Sequence, residues 1–352
     1  MAYTTIDDPS AYFQTTLYTG NGGTQSITNT GNSDLQPDWI WIKARNEAEH
    51  HNLVDSVRGN TKVVYSSMSN SEDTTSIQVT SFASDGFALG SGTNTNKNTI
   101  TYAAWQWKAG TSFTNDASST GIGSIDSAGS FNNDAGFSIV TYTGNGSSGA
   151  TVKHGMNQKP AMFIIKDRDN SNEGWMVYHK FWGATKYQRL NETGAVATGS
   201  AYFNNTEPTS SVFTIGNNDV VNKSGDKYVT YCFAEKQGYS KFGSYAANEN
   251  VDGTFVYTGF KPAFVILRQS NLGRDWHMFD NKRSTFNAVG RYLRPNVSGA
   301  EDSGEDYLDL LSNGFKIKNT GNRFNDAGGT YIYMAFAENP FVTSTGIPTP
   351  AR

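Results

Sequence analysis

The string Tyr18-Thr-Gly-Asn-Gly22 recurs unchanged as Tyr142-Thr-Gly-Asn-Gly146 and in weaker form as Tyr245-Ala-Ala-Asn-Glu249. Each copy is followed by a proline and an apolar run ending in a cation: Pro37-Asp-Trp-Ile-Trp-Ile-Lys43, Pro160-Ala-Met-Phe-Ile-Ile-Lys166 and Pro262-Ala-Phe-Val-Ile-Leu-Arg268. Each closes on an aromatic run, Tyr102–Trp107, Tyr228–Phe233 and Tyr331–Phe336. The tyrosines are 124 and 103 positions apart and the prolines 123 and 102, so the landmarks keep their order and spacing. The chain is therefore three copies of one unit. A unit of roughly 90–100 residues exceeds a solenoid repeat and suits a small all-β domain.

The apolar runs are short, rich in β-branched and aromatic residues, and bounded by Gly, Pro, Asn and Asp, which predicts strands. Asn21-Gly22, Asp85-Gly86, Asn145-Gly146, Asp252-Gly253 and Asn313-Gly314 suit tight hairpin turns, which demand positive φ. Both faces of Tyr228–Ala234 and Tyr331–Ala337 are apolar enough for strands buried between two layers. Cys232 aligns with Ala335 and reads as a small core residue. Helical periodicity is scarce; Gly304–Leu311 reads as a short helix or turn.

The expected fold class is all-β, with three antiparallel β-sandwich domains in tandem. Repeat 1 spans 1–110, repeat 2 spans 136–237, repeat 3 spans 238–342, and a C-terminal tail covers 343–352. Between the first two copies lies Thr111–Ala135, of which 21 of 25 residues are Ser, Thr, Gly, Asn, Asp or Ala. That composition predicts an extended linker with little core of its own.

The residues carry few signs of catalysis. Five histidines serve 352 residues, and no metalloprotease, nucleophile-elbow or phosphate-cradling motif occurs. Asp167-Arg-Asp-Asn-Ser171 opens like a calcium loop, but Asn172 stands where glycine is needed and Tyr178 where a bidentate Glu belongs. Asp55-x-x-Arg58 and Asp280-x-x-Arg283 occupy similar places in copies one and three, with His179 where the Asp would be in copy two, and read as a turn or surface ion pair. The acidic run Glu301–Asp306 reads as a solvated loop. Trp39, Trp41, Trp105 and Trp107 pair at i, i+2 on strand faces, where core packing competes with stacking on sugars. No catalytic, cofactor-binding or metal-ligating residue is assigned, and the ligand-binding residues are left open.

Composition narrows the setting. The net charge is −4 and charged residues are only 17% of the chain, which speaks against a strongly basic, phosphate-seeking surface. With 36 Gly and 34 Asn, the exterior is expected to be neutral and polar. One Cys excludes an internal disulfide framework and suits assembly in a reducing compartment. No secretory signal is visible at Met1–Asp8, and no apolar run approaches the ~20 residues of a membrane helix.

Longer stretches carry a resemblance. They include Tyr12–Gly22 with Pro37–Lys43, Ser84–Phe87, Gly238–Tyr245, Gly259–Val265, Asp280–Arg283, Tyr331–Val342 and Gly346–Arg352. Together these resemble a family of tailed-bacteriophage virion proteins, common in marine and cyanobacterial phages, with tail-fibre-like or lectin-like β domains. The likeness spans nearly the whole chain. It implies a non-enzymatic structural or adhesive role and brings no catalytic motif or cofactor. The expected function is a tail fibre or tail-associated receptor-binding protein. The alternative is a capsid decoration or head-fibre protein, with a glycan-degrading tailspike as a minor alternative. The expected partners are other virion proteins, host surface glycans and further copies of the chain, with no nucleic acid and no membrane insertion. The expected location is the virion, assembled in the host cytoplasm.

Overall fold

The computed structural model describes residues 2–321 and 323–349. In the first repeat the strands are β1 (Phe13–Thr19), β2 (Gln25–Ile27), β3 (Trp39–Ala44), β4 (Asn52–Asp55), β5 (Lys62–Val63), β6 (Asp73–Thr74), β7 (Val79–Ala83), β8 (Gly86–Leu89) and β9 (Thr101–Trp107). The second repeat contains β10 (Thr111–Asn115), β11 (Ser127–Asn132), β12 (Phe137–Thr143), β13 (Ala150–Lys153), β14 (Met162–Asp167), β15 (Trp175–His179), β16 (Lys186–Arg189), β17 (Ala197–Thr198), β18 (Val212–Ile215) and β19 (Lys227–Phe233). The third contains β20 (Ser240–Ala246), β21 (Phe255–Tyr257), β22 (Phe260–Gln269), β23 (Trp276–Asp280), β24 (Val289–Tyr292), β25 (Asp302–Leu311), β26 (Gly314–Ile317) and β27 (Thr330–Pro340).

One strand order serves all three repeats. The main antiparallel sheets run β1-β9-β3-β4, β12-β19-β14-β15 and β20-β27-β22-β23. A second sheet, of three, two and four strands, covers one face of each: β2-β8-β7, β13-β18 and β21-β26-β25-β24. The residue two places after each landmark proline faces the last aromatic of the closing strand: Trp39 opposite Trp107, Met162 opposite Phe233, Phe264 opposite Phe336.

The other landmarks fix the turns. The first tyrosine of each copy stacks on the first aromatic of the closing strand, Tyr18 on Tyr102, Tyr142 on Tyr228 and Tyr245 on Tyr331, with ring centroids 5.0, 5.0 and 4.9 Å apart. The following asparagine meets a second, buried asparagine. Asn96, Asn222 and Asn325 accept the backbone N–H of Asn21, Asn145 and Asn248 at 3.0, 2.8 and 2.8 Å. Their side-chain amides donate back to carbonyls of the turns. The repeated string is thus a structural signature, a stacked ring and a pinned turn.

The faces left uncovered by the second sheets pack together. Trp107, Phe233 and Phe336, equivalent in register, touch one another at centroid separations of 6.5, 6.0 and 5.7 Å. Phe13 stacks on Phe336 at 5.3 Å and Trp39 faces Phe137 at 5.8 Å, so the cluster crosses every repeat boundary. Three equivalent residues in mutual contact place the repeats around a common pseudo-threefold axis, with aromatics as the shared core. Each aromatic pair adds about 0.5–1.5 kcal/mol beyond simple burial. The chain is all-β as expected, and its three consecutive units are arranged as a ring, because each main sheet has a second apolar face to bury.

The expected linker is replaced. β10 and β11 form a hairpin over Thr111–Asn132, and β11 extends the second main sheet alongside β12. Ile125 is buried, and Phe113 and Phe131 pack on the second repeat's outer core. Small residues here serve close pairing: a Cβ on Gly129 would lie 2.0 Å from the Ile139 carbonyl oxygen. Gly304–Leu311, expected as a helix or turn, lies in strand β25. Within the expected tail, the Ser344 N–H donates to Asp7 Oδ1 at 2.6 Å and Thr349 N–H to Phe341 O at 2.9 Å. Residues 350–352 lie outside the described residues.

Candidate functional site

Ring closure creates three junctions that repeat the same bonds. Trp175 Nε1 of the second repeat donates to Tyr65 O of the first at 2.9 Å. Trp276 Nε1 of the third donates to Arg189 O of the second at 3.0 Å. His51 of the first completes the cycle, with Nε2 2.9 Å from Arg294 O of the third. Trp41 Nε1 donates to His51 Nδ1 at 2.8 Å, so the proton sits on Nε2 and His51 is the donor to Arg294. A second set runs through the backbone: the N–H groups of Glu72, Val196 and Glu301 donate to the oxygens of Arg168, Ser270 and Arg45 at 2.8, 2.8 and 2.6 Å. Both sets run head to tail and close after three steps.

Side chains at two junctions are charged. Asp55 Oδ2 accepts Arg58 Nε at 2.5 Å and the Tyr231 hydroxyl at 2.8 Å, while Glu72 bridges Arg58 and Arg168 at 2.8 Å each. Asp280 Oδ2 accepts Arg283 Nε at 2.6 Å and Trp105 Nε1 at 3.1 Å, while Glu301 contacts Arg45 at 2.9 Å and Arg283 at 3.2 Å. The side chains of Asp55, Arg58, Asp280 and Arg283 are wholly buried. The Asp-x-x-Arg pairs close turns as expected, with the Arg58 N–H donating to Asp55 Oδ1 at 2.9 Å and the Arg283 N–H to Asp280 Oδ1 at 2.8 Å, but they are buried and form the inner halves of interface clusters. Burial alone would raise the Glu72 and Glu301 carboxyls. The hydrogen bonds and charges of Arg168 and Arg58 on one, and of Arg45, Arg283 and Arg291 on the other, hold both below the ordinary range. At the third junction His179, Trp182, Val196 and Ser270 stand at the equivalent positions, with His179 Nε2 3.3 Å from Tyr333 O. Burial drives His179 down to about 3, so it is neutral.

Two of the cations that end the apolar runs bond across junctions, whereas Lys43 Nζ donates to Ala44 O and Glu47 O within its own repeat. Lys166 Nζ donates to Ser69 O of the first repeat at 3.1 Å and Arg268 Nη2 to Gly194 O of the second at 2.5 Å. Burial pulls the Lys43 and Lys166 ammonium groups down to about 8.

A polar cavity of about 310 Å³ opens between the third and first repeats. Phe13, Gln14 and Thr15 of β1 form one wall, Ala263, Asn281 and Lys282 the opposite one, and Asp8 and Glu338 lie at its sides. The Thr15 hydroxyl is buried without a hydrogen-bond partner. The equivalent places elsewhere are filled. In the first repeat Asp38 stands where Ala263 does, and accepts from Ser56 Oγ at 2.7 Å and the Ala109 and Gly110 N–H groups at 2.8 Å. In the second a Lys180–Glu235 pair at 2.6 Å stands where Asn281 and Glu338 do. The lining can recognise a neutral polar group through hydroxyl, carboxamide and ammonium.

The other residues singled out from the sequence fall elsewhere. Trp39, Trp41, Trp105 and Trp107 are wholly buried around the axis, which removes them as sugar platforms. Of the acidic run, expected as a solvated loop, Glu301 is a junction residue and Asp302–Asp306 lie in β25. Asp167 Oδ1 accepts the N–H groups of Asp169 and Asn170 at 2.9 and 3.0 Å, closing a turn. Among the described residues no group of three or more His, Cys, Asp or Glu could hold a metal ion. Cys232 is buried, and burial pushes its thiol pKa up. Among the described residues no helix is long and apolar enough to cross a membrane. Sequence reasoning missed Glu72, Arg45 and Arg168. The one available signal is that Arg45 and Arg168 each stand two places after the run-ending lysine.

Fold and junctions define a class, a single-chain ring of three equivalent two-layer β modules closed on one aromatic core. The chain belongs to the family described as a domain of unknown function, DUF7483, whose family model matches residues 8–340. No curated protein and no solved structure matches the chain.

Proposed function

We propose that this chain is a non-enzymatic structural protein of a bacteriophage particle, acting at the tail as a host-adhesion protein. One observation carries this reading. The ring holds three copies of an asparagine-pinned turn on one aromatic core, so weak contacts made by several loops act together. Linked sites add avidity of ~10²–10⁴ without any new contact. The net charge of −4 gives no strong global attraction to anionic polymers, so recognition rests on hydrogen bonds and adsorption responds mildly to salt. Resemblance to tailed-phage virion proteins supports the same reading. A second reading, a capsid decoration or head-fibre protein, is favoured by the pseudo-threefold body, which matches a threefold position on a particle.

The test is adsorption of the purified full chain to host cells, with empty capsids alongside. Saturable binding to cells and none to capsids supports the tail reading. Tight binding to capsids with none to cells transfers the protein to the head. Release of sugar fragments from host polysaccharide overturns both.

A further inference from the structure

Each main sheet has an outer edge formed by its first strand, and the three edges are treated differently. In the second repeat the free side of β12 is taken by β11, with Ile139 opposite Ser130 and Thr141 opposite Ala128. In the third repeat the edge is capped. Ser240 exchanges backbone bonds with Lys236 at 2.9 and 3.2 Å, and Glu235 Oε1 accepts the Phe242 N–H at 3.0 Å. In the first repeat, Lys108 N–H donates to Tyr12 O and Gly20 N–H to Ile100 O, which sets the alternation along β1. That alternation turns the N–H and C=O of Thr15 and Leu17 outward. Among the described residues no hydrogen bond reaches these outward groups.

β1 itself carries none of the residues that guard an edge. Its sequence, Phe-Gln-Thr-Thr-Leu-Tyr-Thr, has no charge and no proline, and favours extended backbone. Hollows flank it on both faces. The 310 Å³ cavity lies on the axis side, and another of about 340 Å³, lined by Thr16, Tyr18 and Ile27, lies on the second-sheet side. The two share Thr15, Thr30 and Lys282, so they form one groove along the strand. A strand placed there would send alternate side chains into the two hollows.

We propose that the free edge of β1 accepts an uncharged strand from a β-hairpin of a partner protein, as β11 is added to β12. The internal copy defines the occupant. It is extended and uncharged, has a small residue opposite Thr16 where Gly129 faces Val140, and has a polar residue near Lys282. Main-chain bonds to Thr15 and Leu17 supply the attachment, and the hollows supply the selection. This inference rests on the edge geometry and is independent of where the chain sits on a particle.

The experiment uses the full chain and a synthetic peptide with the sequence of residues 110–134 as the probe. Residue-resolved amide exchange of the free chain should show fast exchange at Thr15 and Leu17 and slow exchange at Ile139 and Thr141. Adding peptide should slow Thr15 and Leu17 saturably. Thr15→Pro removes one outward N–H and should weaken binding about five- to tenfold, the loss of one or two backbone hydrogen bonds. Leu17→Lys keeps every backbone group, adds a guarding charge and should also weaken binding, which covers the case that the proline variant fails to fold. The proposal is overturned if peptide leaves Thr15 and Leu17 unprotected, or if protection survives Leu17→Lys. It is also overturned if protection appears without peptide and grows with protein concentration, since a second copy would then be the occupant.

Discussion

The first–second and third–first junctions are held by buried carboxylate–guanidinium clusters, whereas the second–third junction makes the same backbone bonds with neutral side chains at the positions of those clusters. Glu72 pairs with two arginines and Glu301 with three, where Val196 merely packs. Asp55 and Asp280 each anchor an arginine three residues on, where His179 faces Trp182 at a ring separation of 5.6 Å. The ring therefore closes through elements common to all three junctions: the Glu72-type backbone bond, the Trp175-type bond and the axial aromatics. Charge is one of two ways to fill the remaining space. This agrees with the energetics of buried ion pairs, in which desolvation offsets most of the Coulomb attraction.

The largest test removes one carboxylate. Asp55→Ala or Asp280→Ala leaves a buried guanidinium short of a partner, and each should cost about 3–5 kcal/mol of stability. His179→Ala loses only neutral hydrogen bonds and should cost roughly 1–3 kcal/mol. Denaturant midpoints of the three variants at one pH measure the difference. Equal costs would erase the distinction between charged and neutral junctions.

Acid should act on the junctions in sequence. Burial holds folded His179 near 3, below its ordinary value of 6.5. Folding therefore disfavours its protonation, and the second–third junction weakens as pH falls from 6.5 toward 3. His51 is held down by burial too, so the third–first junction shares this sensitivity. The first–second junction has Trp175 and Asp55 at those two positions, and its Glu72 is held below the ordinary 4.5. Its contribution is present above 4.5 and is lost only as pH falls through the lower folded value. Amide exchange between pH 7 and 4 should show the Val196 N–H losing protection before the Glu72 N–H. The reverse order would contradict the assigned roles.

What the sequence disclosed was what its local patterns encode. Tyr18, Asn21 and Pro37 form a legible signature because each acts within its own repeat, on Tyr102, Asn96 and the β3–β9 register. The strand periodicity of Trp39 and Trp41 announced a shared face but not its occupant, since Phe137 and Tyr231 belong to another copy. Asp55–Arg58 looked like a surface pair for the same reason. Tyr231, which donates to Asp55, lies 176 positions away. Thr111–Ala135 reads as a linker because few bulky residues usually signal mobility, whereas here small residues allow β11 to pair closely. The cavity was invisible because Thr15 and Asn281 meet only when the ring closes.

The smallest expected effect is the sharpest test, because it exchanges one junction's filling for another's. At the first–second junction the set is Asp55→His, Arg58→Trp, Glu72→Val, Arg168→Ser and Tyr231→Met, which reproduces His179, Trp182, Val196, Ser270 and Met334. Each change alone strands a charge or a hydroxyl in a dry interface. Made together, they remove two carboxylates and two guanidiniums and leave none of the cluster's ions without its partner. The backbone bond from Glu72 N–H to Arg168 O and the Trp175 bond to Tyr65 O use no substituted side-chain atom, so both persist. The five-fold variant should therefore lie within about 2 kcal/mol of the native chain, since neutral replacements of buried ion networks are often tolerated. It should be far more stable than Asp55→Ala in a denaturant titration. Its acid response should shift as well, with the Glu72-type protection now beginning to fall near pH 6.5, as at the second–third junction. A variant that unfolds, or that keeps the native acid profile, would mean that the two fillings are not equivalent and that the charged set specifies which repeats adjoin.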